Sequence, residues 1–156
     1  MAAYDISIEV SVESGELDSG SLSRLAERVM AGESVSPGTA LAILLTGDDE
    51  VRDLNRRFLG IDEPTDVLSF PDEADDFVVG MASEPLLGDI AISLPTATRQ
   101  ATEGGHSLDA EVAHLLVHGI LHLCGYDHVN GGDEEARMRT REEHYLGAAV
   151  AHGHPH

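Results

Sequence analysis

The stretch HLLVHGILHLCGYDH, residues 114 to 128, decides how the rest of the chain is read. His118 and His122 are four residues apart on an expected helix, so their side chains leave one face a turn apart, a spacing at which two imidazoles can grip one ion. Gly125 follows three residues after His122, where a left-handed C-terminal turn requires a residue without a Cβ, and the chain can then swing His128 back toward the same point. Three neutral imidazoles around a tetrahedral ion leave a fourth position for water. That open position distinguishes a catalytic zinc site from a closed structural one, because zinc-bound water ionises near pH 7. The implied cofactor is Zn2+, although three imidazoles also suit nickel, copper or iron, and the implied chemistry is hydrolysis.

The neighbours of these three histidines have separate roles. His114 extends the row one turn earlier; it can be an alternative ligand, a groove residue or a helix-face histidine, and we assign it to substrate contact rather than to ligation. Cys124 lies about 200° around the helix from His122, which sets it away from a shared ion and makes it a small buried hydrophobe. Asp127 is the candidate catalytic residue: it can orient a ligand histidine by accepting its second ring N–H, or it can cap the turn.

Working outward, periodicity places four strands and five helices. Ile6, Ile8 and Val10 alternate with polar residues as in a half-buried strand, Ala40–Thr46 is a short apolar run suited to a strand covered on both faces, and Val67–Phe70 and LGDIAISL supply two more. Helices are expected from about Leu22 to Gly32, from Asp48 to Gly60, from Ser93 to about Thr102, from Leu108 to Cys124 and from Asp133 to Val150. The segment DEADDFVVGMASEP reads as an acidic surface loop. The expected fold class is α+β: a small mixed β-sheet of about four strands covered by about five helices, with a zincin-like metal site on a C-terminal helix.

With 156 residues, 42% of them hydrophobic, the chain has material for one core, so residues 1–156 are expected to form a single domain with 150–156 as a frayed tail. No window approaches the roughly 20 apolar residues of a membrane span, and MAAYDISIEV lacks the basic start of a signal peptide; a cytoplasmic protein without membrane contact is expected. The single cysteine fits a reducing compartment. Charge is unusual: 29 acidic residues against 9 basic ones, all arginine, give −20, which on electrostatics alone argues against a general nucleic-acid binder.

The spacing His, four on His, three on Gly, three on His is that of the metzincin proteases, but Gly119 stands where those carry the glutamate general base. A phosphodiester depends less on such a base, since the metal supplies both a hydroxide and charge neutralisation on phosphate oxygens. HGILHLCGYDH, together with LNRRFLGIDEPTDVLSFP and LGDIAIS upstream and the Met138 helix downstream, resembles the YbeY endoribonucleases over roughly Leu54 to Leu146. The resemblance implies a single-strand-specific, zinc-dependent endoribonuclease with ligands His118, His122 and His128. It further implies action in small-subunit (16S) ribosomal RNA 3′-end maturation and in ribosome quality control, with precursor rRNA as substrate and the small subunit or its assembly proteins as partners. One departure stands out: Leu59 occupies the place where many relatives carry an arginine, and Arg57 or Arg56 nearby is the basic residue left to contact substrate. Net acidity then calls for a local cationic groove, metal included, or for delivery of the substrate by a partner. Two rivals remain at this level: a metalloprotease-like hydrolase drawing its base from Asp66 or Asp127, and a non-catalytic assembly factor whose metal ties helices together.

Overall fold

The structure is a computed structural model that describes residues 4–11, 17–71, 86–125 and 132–146. Strand β1 (Asp5–Val10) leads through helix α1 (Ser19–Gly32) to β2 (Ala40–Thr46), and α2 (Asp48–Leu59) follows. Next come β3 (Val67–Pro71), β4 (Leu86–Ser93), α3 (Leu94–Gly104), α4 (Leu108–Leu123) and α5 (Gly132–Leu146). The sheet has the order β1-β2-β4-β3; β1, β2 and β4 are parallel, and β3 runs antiparallel along β4 at the edge. The expected α+β class and the numbers of strands and helices hold among the described residues.

Local chemistry explains the boundaries. Asp18 caps α1 by accepting from the Ser21 N–H, and Leu22, Ala26, Val29 and Met30 bury one stripe of that helix. β2 reads as an unbroken apolar run because it lies between two strands with helices on both faces. Leu41, Ile43 and Leu45 enter the main core, while Leu44 packs on the opposite face against Val51, Leu68 and Ala91 beneath α2. α2 opens with Asp48, Asp49 and Glu50, where negative charge complements the helix dipole, and Gly60 ends it with φ +74°. Asp48 also reaches across to Ser93 and Thr96, the cap and first turn of α3, so one carboxylate ties two helix starts.

α4 is the central element. It packs against β3, β4, α1, α3 and α5, and nine of its residues are buried, among them Val112, Leu115, Leu116, Ile120 and Leu121. A helix enclosed this way is apolar almost all round, so histidines on it stand out chemically. Its contact with the sheet is close at Gly119: a Cβ there would lie 3.0 Å from Ser69 Oγ and 3.2 Å from Ile90 side-chain carbons, and Ser69 Oγ donates to the Gly119 carbonyl at 3.1 Å. Boundary differences are small. α5 was expected to run to Val150 and ends at Leu146 among the described residues; the 72–85 segment and the 150–156 tail lie outside them. No helix among the described residues is long and apolar enough to cross a membrane.

Candidate metal centre

α4 brings His118 and His122 to one side with their Nε2 atoms 3.1 Å apart. Two nitrogen ligands at the usual zinc distance on one tetrahedral ion lie about 3.3 Å apart, so this separation is compatible with a shared ion as well as with a hydrogen bond between the two rings. Behind them, Glu142 of α5, only 8% exposed, places Oε2 2.6 Å from His118 Nδ1. A carboxylate only accepts, so His118 donates from Nδ1, and the neutral imidazole then has Nε2 as its acceptor on the side of His122. This is the arrangement by which an outer carboxylate fixes the tautomer and ring angle of a metal-binding histidine.

His114 is also in the group. It is buried, its Nε2 lies 4.0 Å from Glu142 Oε1, and its ring stacks toward His118 with centroids 6.3 Å apart. His114, His118 and Glu142 offer ligand atoms within 4.8 Å of one another and could hold a metal ion. Within that set the 2.6 Å His118–Glu142 separation is shorter than the roughly 3.3 Å edge of a tetrahedral zinc site, and it matches a charge-assisted hydrogen bond. The wider 3.1 Å gap between His118 and His122 is a hydrogen-bond distance that also lies near the separation of two ligands.

These groups line a cleft of about 610 Å³ walled by Asp66 and β3 (Val67, Leu68, Ser69), α4 and α5, with Leu59 of α2 and Arg139 of α5 on its sides. His128 and Asp127 lie outside the described residues. The turn leading to them has the expected form, Gly125 taking φ +109° and donating its N–H to the His122 carbonyl. Arg57 is not on the cleft wall. It pairs with Asp53 at 3.2 Å, as Arg56 does at 2.6 Å, and these guanidinium hydrogen bonds, Arg56 foremost, hold Asp53 below the usual carboxylate range. Cys124 is half-buried, and burial, with a contribution from the Glu33 charge, pushes its thiol up to about 11, so little thiolate is available as a nucleophile. Asp66 is occupied locally: Oδ1 accepts the Val67 N–H at 2.7 Å and Oδ2 accepts from Gln100 at 3.3 Å.

Glu142 is the site residue that the sequence reasoning passed over. It lies 24 positions beyond His118 on a helix rich in glutamate, and only the fold brings the two together. One signal could have found it: Met138, Glu142 and Tyr145 share a helical stripe and are all buried, so one carboxylate sits on an otherwise core-facing side.

An α+β fold with a histidine group and a carboxylate able to hold a metal ion on its central and last helices defines the class. The model of the family described as endoribonuclease YbeY matches residues 7–149. A Chloroflexus aurantiacus protein named endoribonuclease YbeY is 50% identical over 142 residues, 89% of this chain and 92% of that one. Its Pelotomaculum thermopropionicum namesake is 44% identical over 128 residues, 82% of this chain and 84% of its own. The solution structure of TM1509 from Thermotoga maritima is similar over 94% of this chain and 93% of that one, with TM-score 0.59 and 27% identity. The chain belongs to the endoribonuclease YbeY family, which makes it a hydrolytic enzyme.

Proposed function

We propose that this protein is a zinc-dependent endoribonuclease acting on single-stranded RNA, with His118, His122 and His128 as the ligands of the ion. Its natural substrate in this reading is the precursor of small-subunit (16S) rRNA, cut toward the mature 3′ end in the cytoplasm. The small subunit or its assembly proteins deliver the strand, and the same cleavage serves ribosome quality control. The observation that carries the reading is the 3.1 Å His118–His122 nitrogen pair with Glu142 hydrogen-bonded behind His118, found in a chain of this family.

A zinc ion held there supplies a bound water that ionises near neutral pH and a positive charge for developing phosphate oxygens. The protein's own groups position and exclude. Glu142 holds His118 in one tautomer, His114 stands a turn away to meet a phosphate oxygen or the leaving group, and Leu68, Leu115 and Leu123 make the floor apolar. Asp127 is assigned to orienting a ligand histidine, and Arg57 to a phosphate of the bound strand in exchange for Asp53. Gly119 supports phosphodiester over peptide hydrolysis, since the space a metzincin-type glutamate would leave from is filled by Ser69 and Ile90.

The test uses tag-free protein on a single-stranded oligoribonucleotide, on the same sequence in a duplex, and on 16S precursor. Zinc-loaded protein is expected to cut the single strand, and chelation, H118A and H122A to abolish cutting. Intact RNA with the zinc form, or wild-type cutting by H118A, would overturn the proposal. Chelator-sensitive cleavage of unstructured peptides would favour the protease rival.

A further inference from the structure

Phosphate contacts supply most of the affinity of an ordinary nucleic-acid binder, and a chain with formal charge −20 is poorly equipped to use them. Beside the histidine cleft there is a different kind of surface. α2 ends at Leu59, which lies on the cleft wall, and Phe58, Leu59 and Ile61 are 60%, 55% and 47% exposed. The chain has three Phe, three Tyr and no Trp, and the other described aromatics, Tyr4, Phe70 and Tyr145, are buried or half-buried. Phe58 is therefore a large aromatic left in water on the α2 side of the sheet, one residue along the chain from Leu59 of the cleft wall. Its ring is braced by Phe70 of β3, with centroids 5.1 Å apart at 52°, and the Arg57 guanidinium stands 5.6 Å from its centroid.

We propose that Phe58 is a stacking platform for an unpaired base of the strand whose backbone enters the cleft, an inference that rests on the RNA-cleaving reading above. Base–aromatic stacking is indifferent to protein net charge and tolerant of sequence, and it needs an unpaired base whose face is free, so it selects single strands. Bracing by Phe70 lowers the ordering cost of the ring. Arg57 can move from Asp53 to a neighbouring phosphate at small cost, since both partners of that pair are about half exposed.

F58A, F58L and F58W are compared in the zinc-loaded full chain on a short unstructured oligoribonucleotide. F58A and F58L are expected to raise KM about 10-fold or more with kcat within about 3-fold, while F58W keeps the wild-type KM. Because the chain has no tryptophan, F58W introduces a lone indole whose fluorescence is expected to be quenched on mixing with the oligonucleotide in stopped flow, before cleavage. Apparent affinity is expected to fall with salt only as for one or two phosphate contacts, roughly −0.7 in the log–log slope for each. An unchanged KM in F58A, an unquenched F58W or a slope of five or more contacts (beyond about −3.5) would overturn stacking while leaving the endoribonuclease reading intact. Loss of binding to ribosomal small subunits in F58A with unchanged oligonucleotide KM would reassign the patch to a protein partner. A wild-type protein that leaves the oligonucleotide whole would remove both proposals together. Thermal melts of each variant separate loss of stacking from loss of fold.

Discussion

Glu142 hydrogen-bonds a histidine through one oxygen, at 2.6 Å, and keeps the other 4.0 Å from a second histidine. A carboxylate in that role tunes the affinity of the ion without touching it. E142A is expected to weaken zinc binding about 10- to 100-fold, with E142Q in between because an amide oxygen still accepts the Nδ1–H. Competition against a fluorescent chelator measures it; equal and near-total loss in both variants would show Glu142 to be a ligand itself. Gly119 gives a second test at this scale. Restoring the protease-type glutamate with G119E pushes a carboxylate into Ser69 and Ile90, and a loss of about 2 kcal/mol or more is expected from denaturant midpoints, without gain of peptidase activity. A fully stable G119E would mean that α4 can move off the sheet. The histidine pair was legible in the sequence because helical spacing alone brings His118 and His122 together. Glu142 was not, because the contact spans 24 residues and depends on where α5 docks.

α5 packs on α4 and sends Met138 and Tyr145 into the core, and polar contacts with the end of α1 and its cap, Glu33, add to its docking. Arg141 Nε donates to Glu33 at 2.8 Å, the Tyr145 hydroxyl donates to the same carboxylate at 2.5 Å, and Arg28 donates to the Tyr145 carbonyl. These residues flank Glu142, so they set its height over α4. R141A is expected to cost about 2 kcal/mol, as the low-exposure Glu33 carboxylate loses its guanidinium, and to weaken zinc binding as well. A lower Tm with unchanged zinc affinity would show that α5 is held elsewhere. Burial first, and then the Glu33 carboxylate, push the Tyr145 hydroxyl up to about 12 from its ordinary value near 10. Its neutral form is thus favoured in the fold. That contribution is complete below pH 10 and is lost as pH rises from about 10 to 12, so Y145F should flatten this part of the alkaline decline; an identical decline in Y145F would exclude the Tyr145 hydroxyl as its source. Elements were legible where one rule sufficed. The apolar run of β2 announced an inner strand, and Gly60 and Ser93 announced helix ends. The side of the sheet on which each helix lies was not legible, because β2 offers apolar residues to both faces and periodicity does not choose between α1 and α2.

Over the whole molecule, charge repulsion must be weighed against local pairing. Arg52 pairs with Asp62, Arg56 and Arg57 share Asp53, and Arg99 meets Asp48, but the pairs are mostly exposed and solvent screening leaves each a small contribution. Nine arginines cannot neutralise 29 acidic side chains, so folding concentrates excess negative charge on one surface. Added NaCl weakens both terms. At about 0.1 M the screening length is about 10 Å, so the many longer-range repulsions fade while the few contact pairs, at 2.6–3.3 Å, are screened less. Tm of the zinc-loaded protein is therefore expected to rise steadily between about 0.05 and 0.5 M NaCl, in contrast to a protein held together by surface ion pairs. A Tm that falls over this range would mean that local pairs outweigh the net repulsion. The same screening leaves base stacking at Phe58 largely untouched, so stability and RNA affinity should respond differently to one titration: the first rising, the second falling only about 5- to 25-fold over the decade, as for one or two phosphate contacts.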